Sequence, residues 1–214
     1  PNSEAPTDVG ANNVYDVTVR VSDGTTADTQ DIAVTVTAVN DNNPVITSTA
    51  VVNVDEGTAS VLTVTASDAD MPAQSLTFSL VGGADQEKFV ISNDGVLAFK
   101  LAPDFEAPTD AGSNNTYNVS VQVSDGGGRT SIQGIAVTVT DANDRPVITS
   151  SSTPSIPEDT TAVLTLAAAD VDVPAQTMTF RVTGGADQAL FEITDGNRLT
   201  FKTAPNFEQP ADQG

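Results

Sequence analysis

Carboxylates set in short motifs beside extended segments are the residues of this chain best placed to do chemistry. They are Val54-Asp55-Glu56-Gly57, Ser67-Asp68-Ala69-Asp70, Asp104-Phe105-Glu106, Ser124-Asp125-Gly126 and Thr140-Asp141-Ala142-Asn143-Asp144. Alternate side chains of an extended segment point the same way, so Asp68 with Asp70, and Asp104 with Glu106, can each offer two oxygens to one point. Two carboxylates about 4 Å apart repel by about 4 kcal/mol at an effective dielectric near ~20, so several such motifs gathered together need a neutralising partner. Calcium is suited to that role, because it accepts about six to eight oxygens from carboxylates, amides and backbone in flexible geometry, whereas magnesium demands a stricter octahedron and keeps more water. A single Asp-Gly would read as turn chemistry alone; recurrence of the whole set in register points to ligands.

Composition removes most other chemistries. The chain contains no His, Cys or Trp, which excludes Ser-His-Asp and Cys-His nucleophiles, nitrogen and sulfur zinc sites, and disulfides. With 29 acidic and 8 basic residues the net charge is −21, a sign that repels phosphate backbones, so nucleic acid is not an expected partner. A glycosidase pair of carboxylates would need a cleft with aromatic platforms, and the chain has two Tyr and no Trp, so no enzyme is expected. No apolar run approaches the roughly 18–20 residues that span a bilayer, and Pro1 onward carries no leader pattern, so export or anchoring signals are expected outside this segment. Lys100 and Lys202 read as solvent-facing strand lysines, and the Asn114-Asn115-Thr116 and Asn118-Val119-Ser120 sequons as ordinary loop and strand residues.

The elements that must position these carboxylates repeat along the chain. Pro-Asn-Ser-Glu-Ala-Pro-Thr-Asp at Pro1, Pro-Asp-Phe-Glu-Ala-Pro-Thr-Asp at Pro103 and Pro-Asn-Phe-Glu-Gln-Pro-Ala-Asp at Pro205 are spaced by 102 residues. The same offset carries Glu56 to Glu158, Asp68 to Asp170, Asp70 to Asp172 and Tyr15 to Tyr117. Units join at Asn40-Asp41-Asn42-Asn43-Pro44 and Asn143-Asp144-Arg145-Pro146, each followed by Val-Ile-Thr-Ser. This predicts a partial repeat over residues 1–42, a complete one over 43–145 and a partial one over 146–214.

Within the complete repeat, extended runs are predicted at 51–54, 60–66, 76–81, 89–91, 96–100, 117–123 and 132–140, punctuated by Gly, Asn, Asp and Pro. The segment 117–123 alternates strictly, which puts Tyr117, Val119, Val121 and Val123 on a core face and Asn118, Ser120 and Gln122 in water. Phe89, Phe99 and Phe105, with Phe191, Phe201 and Phe207, recur in register as core or core-lid positions. About seven short strands per ~100 residues with no helical run predict an all-β, Greek-key, immunoglobulin-like sandwich with almost no helix.

Asp-x-Glu, Asp-x-Asn-Asp before a Pro, Ala-x-Asp-x-Asp and the early Glu-Gly together resemble the cadherin repeat, over the whole chain. The Asp104-Phe105-Glu106-Ala107-Pro108-Thr109-Asp110 version, followed by Asn114-Asn115-Thr116-Tyr117, is similar to the cadherin-like repeats of very large bacterial surface and secreted proteins. The resemblance implies Ca2+ held between successive repeats. For the second junction it implies Glu56, Asp104, Glu106, Asp141, Asn143, Asp144, Asp170 and Asp172 as ligands. For the first it implies Asn2, Glu4, Asn40, Asp41, Asp68, Asp70 and Asp125. Ala38 in the place of Asp141, and Asn2 in the place of Asp104, predict fewer or weaker ions at the first junction. Whether Asp110 and Asn114 add a further ion site is left open by the residues alone.

The partial repeats are complementary halves: residues 1–39 supply two late strands, 14–21 and 32–39, and residues 147–214 the earlier ones. A rigid intervening domain, with a radius of gyration near ~13 Å, would hold them on the order of 30 Å apart. Pairing would therefore be intermolecular, with Asp23 filling the position that Asp125 fills in the intact repeat. The expected role is a calcium-rigidified extracellular stalk or adhesion segment of a large bacterial repeat protein, partnered by neighbouring repeats and by a cell-surface or matrix target. Two other readings are a recognition module for polysaccharide or a like surface, and a filament subunit built by completion of the half repeats.

Overall fold

A computed structural model describes residues 1–211, so Asp212, the last position of the third Pro-Asn-Phe-Glu motif, lies outside the described residues. The chain divides into two compact units, Pro1–Thr140 and a second that begins at Asp141. Residues 1–42, read from the repeat as a partial unit of their own, thus cluster with the complete repeat.

The first unit opens with an antiparallel hairpin, β1 (Val14–Ser22) and β2 (Ala27–Thr35). The complete repeat follows with β3 (Val45–Ile46), β4 (Val51–Asp55), β5 (Ser60–Thr63), β6 (Ala66–Ser67), β7 (Thr77–Gly82), β8 (Phe89–Ile91), β9 (Val96–Phe99), β10 (Thr116–Ser124) and β11 (Thr130–Thr140). One sheet runs β4-β11-β10-β7, with β4 parallel to β11; β5-β9-β8 form a second sheet, and β3 pairs with β6. Helix is confined, among the described residues, to the short 3-10 turns Gln86–Lys88 and Gln188–Leu190.

The core of the complete repeat lies where the two larger sheets bring their apolar faces together. Tyr117, Val119, Val121 and Val123 are each 1% exposed or less, and Asn118 is exposed, as the period-2 alternation predicts. Phe89 and Phe99 stack at 4.5 Å, and Tyr117 meets Phe99 edge-on at 5.1 Å, an arrangement that suits the ring quadrupoles. The Tyr117 hydroxyl escapes burial without a partner by accepting from the Thr109 backbone N–H at 3.1 Å. In the β1–β2 hairpin the equivalent face is open: Val17, Val19, Val21, Ile32 and Val34 are all exposed.

Two buried aspartates clip the 103–115 loop onto this sandwich. Asp85 accepts from the backbone N–H groups of Ala111 at 2.6 Å and Asn118 at 2.7 Å. Asp110 accepts from Gly112, Asn114 and Asn115, so its oxygens are occupied by backbone donors and it organises the loop from within. Asp8 repeats the device in the first loop, where the backbone N–H groups of Asn12 and Asn13 hold its carboxyl below the ordinary range.

The second unit contains β12 (Val147–Ile148), β13 (Ala162–Thr165), β14 (Ala168–Ala169), β15 (Phe191–Thr194) and β16 (Arg198–Phe201). β13-β16-β15 form a three-stranded sheet and β12 pairs with β14. No strand forms at residues 153–157 or 179–184, the counterparts of β4 and β7. In the complete repeat those strands are held by β11 and β10, and among the described residues the second unit has no equivalent of either. The expected core role holds for Phe89 and Phe99, with Phe105 packed against them, and is corrected for the same reason in the second unit: Phe207 is 84% exposed, at the rim of a groove that also exposes parts of Phe191 and Phe201.

Gly83 and its counterpart Gly185 separate packing from backbone strain. Both have positive φ, +103° and +104°, but a Cβ on Gly83 would overlap the Asn118 carbonyl and lie 2.5 Å from Val119 Cα, whereas one on Gly185 meets nothing within 4 Å. Urea denaturation followed by tyrosine emission is expected to show Gly83→Ala destabilising the first unit by about 3 kcal/mol. Gly185→Ala should leave that transition in place, since both tyrosines lie in the first unit. By the same measurement Asp85→Ala, which strips two backbone donors of their buried acceptor, should cost about 2 kcal/mol.

Candidate metal centre

Four sequence-distant segments converge in the first unit: the opening loop with Glu4, the 38–44 connection, the loop at Asp68-Ala69-Asp70 and the loop at Asp125. Strand β6 places Asp68 and Asp70 just past its end, and the β10–β11 turn carries Asp125. The outcome is two carboxylate triads: Glu4, Asp41 and Asp70, and Asp68, Asp70 and Asp125, each with one oxygen per residue within 4.8 Å of the others. Asp70 belongs to both triads and is 2% exposed.

Amide groups hold these carboxylates in place. Asp70 accepts from Asn42 Nδ2 at 2.6 Å and from the Asn42 backbone N–H at 3.2 Å; its own N–H donates to Asp68 Oδ1 at 2.9 Å. The Asn42 side chain, followed by burial acting in the opposite sense, leaves the Asp70 carboxyl below the ordinary range. At Asp125 burial is the largest influence and opposes ionisation. It is outweighed by Asn40 Nδ2, at 2.9 Å, and by the backbone donors of Gly127 and Arg129, so this carboxyl too is lowered. Both groups are therefore anions at neutral pH, and each triad concentrates like charge.

Two buried oxygens in the cluster accept no hydrogen bond, Asp68 Oδ2 and Asn40 Oδ1. Buried acceptors are ordinarily satisfied, and a carboxylate oxygen beside two further carboxylates is among the costliest to leave bare. Oxygen-only donors, high charge density and bare buried oxygens together fit a hard divalent cation.

The remaining predicted ligands have distinct settings. Asn2 Oδ1 accepts from the Glu4 N–H at 2.8 Å. Asp23 lies in the β1–β2 turn and is in neither triad; it accepts from Thr26 and Thr25 N–H at 2.7 and 2.8 Å, which depresses its carboxyl strongly. Glu56 Oε2 accepts from Phe105 N–H at 2.7 Å, and one Glu56 carboxylate oxygen lies within 4.8 Å of one from the half-buried Glu106, while the exposed Asp104 accepts from Ala107 N–H at 2.9 Å. Glu158 and Phe207 repeat the Glu56 bond at 3.1 Å in the second unit. There Asp172, 6% exposed, accepts from Asp144 N–H at 2.9 Å and its own N–H reaches Asp170 at 3.3 Å; Asp141 and Asn143 are exposed.

Four neighbours were not singled out from the motifs. Asn42 supplies the shortest donor to Asp70. Arg129 Nε donates to Asn40 O at 3.1 Å. A Cβ on Gly127 would overlap Asn40 Nδ2, so only glycine lets that amide reach Asp125. Gln74 accepts from Asn40 Nδ2 at 3.3 Å. The recurrence of Pro72-Ala73-Gln74 as Pro174-Ala175-Gln176 at the same 102-residue offset was the available signal for the last of these.

Comparison with known proteins places the fold. The Bacterial Ig domain family matches residues 40–138. The human Cadherin EGF LAG seven-pass G-type receptor 1 is 36% identical over 153 residues, and its mouse counterpart 34%; the match covers 66% of this chain and 5% of either receptor. Among solved structures, human CDH23 EC21-23 aligns with a TM-score of 0.53 at 20% identity, covering 92% of this chain and 66% of that one. The extracellular cadherin domains 1–4 of Protocadherin Gamma B7 align at 0.52 and 24% identity, over 94% of this chain and 52% of that one. This chain therefore spans about half of that protocadherin segment and a small part of the receptors. Its fold is that of the cadherin-like, immunoglobulin-like β-sandwich.

Proposed function

We propose that the chain is part of a calcium-rigidified extracellular stalk or adhesion segment of a large bacterial surface protein. The observation that carries the reading is the pair of triads sharing buried, ionised Asp70, with bare oxygens on Asp68 and Asn40 alongside. Glu4, Asp41, Asp68, Asp70 and Asp125 would hold the cation, which supplies the positive charge that lets these anions stay together. Because Glu4 and Asp41 come from the segment preceding the sandwich, and Asp68, Asp70 and Asp125 from the sandwich itself, a bound cation ties a connection to a domain. The Bacterial Ig domain match favours a bacterial surface setting, and the cadherin-like fold favours adhesion. Among the described residues no helix is long and apolar enough to cross a membrane.

A second reading, self-association by sheet completion, is favoured by the open face of the β1–β2 hairpin, whose counterparts in β10 and β11 are fully buried. Light scattering that finds only monomer at high protein and calcium concentration would dismiss it.

Thermal melts test the first reading. At a hundredfold excess over its dissociation constant one calcium adds about 2.7 kcal/mol, a rise in Tm on the order of 10 °C or more for a domain of this size. Magnesium should give a smaller rise. Asp70→Asn should abolish most of the calcium-dependent rise while melting within a few degrees of the parent chain in chelator; a chain whose Tm ignores calcium would overturn the reading.

A further inference from the structure

The same two amide side chains meet in both units. In the first, Gln74 Oε1 faces Asn40 Nδ2 at 3.3 Å; in the second, Gln176 Nε2 donates to Asn143 Oδ1 at 2.9 Å and to Asp172 Oδ2 at 2.7 Å. The amide polarity is reversed between the two, yet each glutamine stands against the connection's asparagine, four residues after the second aspartate of Asp-x-Asp. In the second unit the effect on buried Asp172 is complete, because Asp144 N–H takes one oxygen and Gln176 the other.

We propose that Gln74 and Gln176 are positioning residues for the ion-free state, Gln176 standing in for the cation on Asp172 and Asn143 and Gln74 holding the Asn40 amide turned toward Asp125, a proposal that rests on the calcium reading above. An amide N–H carries partial positive charge and satisfies the same oxygen lone pairs a cation would take: in the second unit Gln176 Nε2 keeps the Asp172 and Asn143 oxygens together when no ion is bound, and in the first Asn40 Nδ2 does so for Asp125 while Gln74 Oε1 accepts from that amide and fixes its orientation. For a cation to enter, those N–H groups must leave. Gln176 must release Asp172 Oδ2 and Asn143 Oδ1. Asn40 must turn its amide, and Oδ1 placed where Nδ2 now lies would face an Asp125 oxygen at 2.9 Å, a repulsive contact that an intervening cation relieves. The glutamines thus lower cation affinity and hold the ion-free connection in register. Neither side chain is part of the buried core, so replacing it should not prevent folding.

The test is calorimetric titration of the 214-residue chain with calcium chloride, comparing the parent with Gln74→Ala/Gln176→Ala and with the similar-volume, donor-free Gln74→Met/Gln176→Met. Both double variants are expected to bind calcium several-fold more tightly, and to melt a few degrees lower in chelator. Tighter binding in both supports the proposal. An unchanged dissociation constant overturns it by making the glutamines bystanders, and weaker binding overturns it by making their oxygens ligands. Absence of heat in the parent chain overturns the calcium reading itself, and is told apart from the other outcomes because it is read before any variant is compared.

Discussion

Mutual repulsion of carboxylates around Asp70 is the constraint that organises the first unit's acidic end. Five acidic side chains from four loops converge there, and two of the carboxyls are held as anions by amide donors rather than relieved by protonation. Such an arrangement is uphill by several kcal/mol at any plausible local dielectric unless positive charge enters. The amides of Asn40, Asn42 and Gln74, and the guanidinium of Arg129 on the Asn40 carbonyl, are what the chain itself brings to bear. They fix the geometry while adding a single formal positive charge. The chain as a whole carries −21, so no reservoir of cationic side chains exists to take over the role.

The sandwich makes that convergence possible. Strands β10 and β11 are long and bury their alternate residues almost completely, and the Phe89, Phe99 and Tyr117 cluster locks the two sheets together at the end where the 103–115 loop closes. Asp85 and Asp110 spend their charge on that loop's backbone, so not every acidic side chain in the fold is available to a cation. The division of labour is physical: a carboxylate saturated by backbone N–H donors is structural, and one left with bare oxygens beside other carboxylates is poised for an ion. On the proposed calcium reading, connection and sandwich would be coupled through charge, and their mutual rigidity would follow cation concentration.

Much of this was legible in the residues. The alternation at Tyr117-Asn118-Val119 gives a strand with a buried face through its two-residue period, whereas Asp68 and Asp70 lie past the end of β6 and are brought together by the Asp70 N–H donating to Asp68 Oδ1. The gathering of Asp125 with Asp68 depends on which loops share an end of the sandwich, and the cadherin resemblance rather than local pattern supplied it. What stayed hidden depends on partners. Phe207 and the counterparts of β4 and β7 read as core and strand, yet they need neighbouring strands that the second unit lacks among its described residues. Gln74, Asn42 and Gly127 carry no charge and sit outside the acidic motifs; their part is set by which side-chain amide reaches which oxygen, and that is visible only in three dimensions.

On the proposed reading the carboxylates around Asp70 hold calcium. Anomalous X-ray diffraction from crystals grown in calcium tests it most directly. Anomalous peaks are expected to flank the Asp70 carboxylate, within ligand distance of Asp68 and Asp125 on one side and of Glu4 and Asp41 on the other. Water-like density without anomalous signal at both positions, in crystals saturated with calcium, would contradict it.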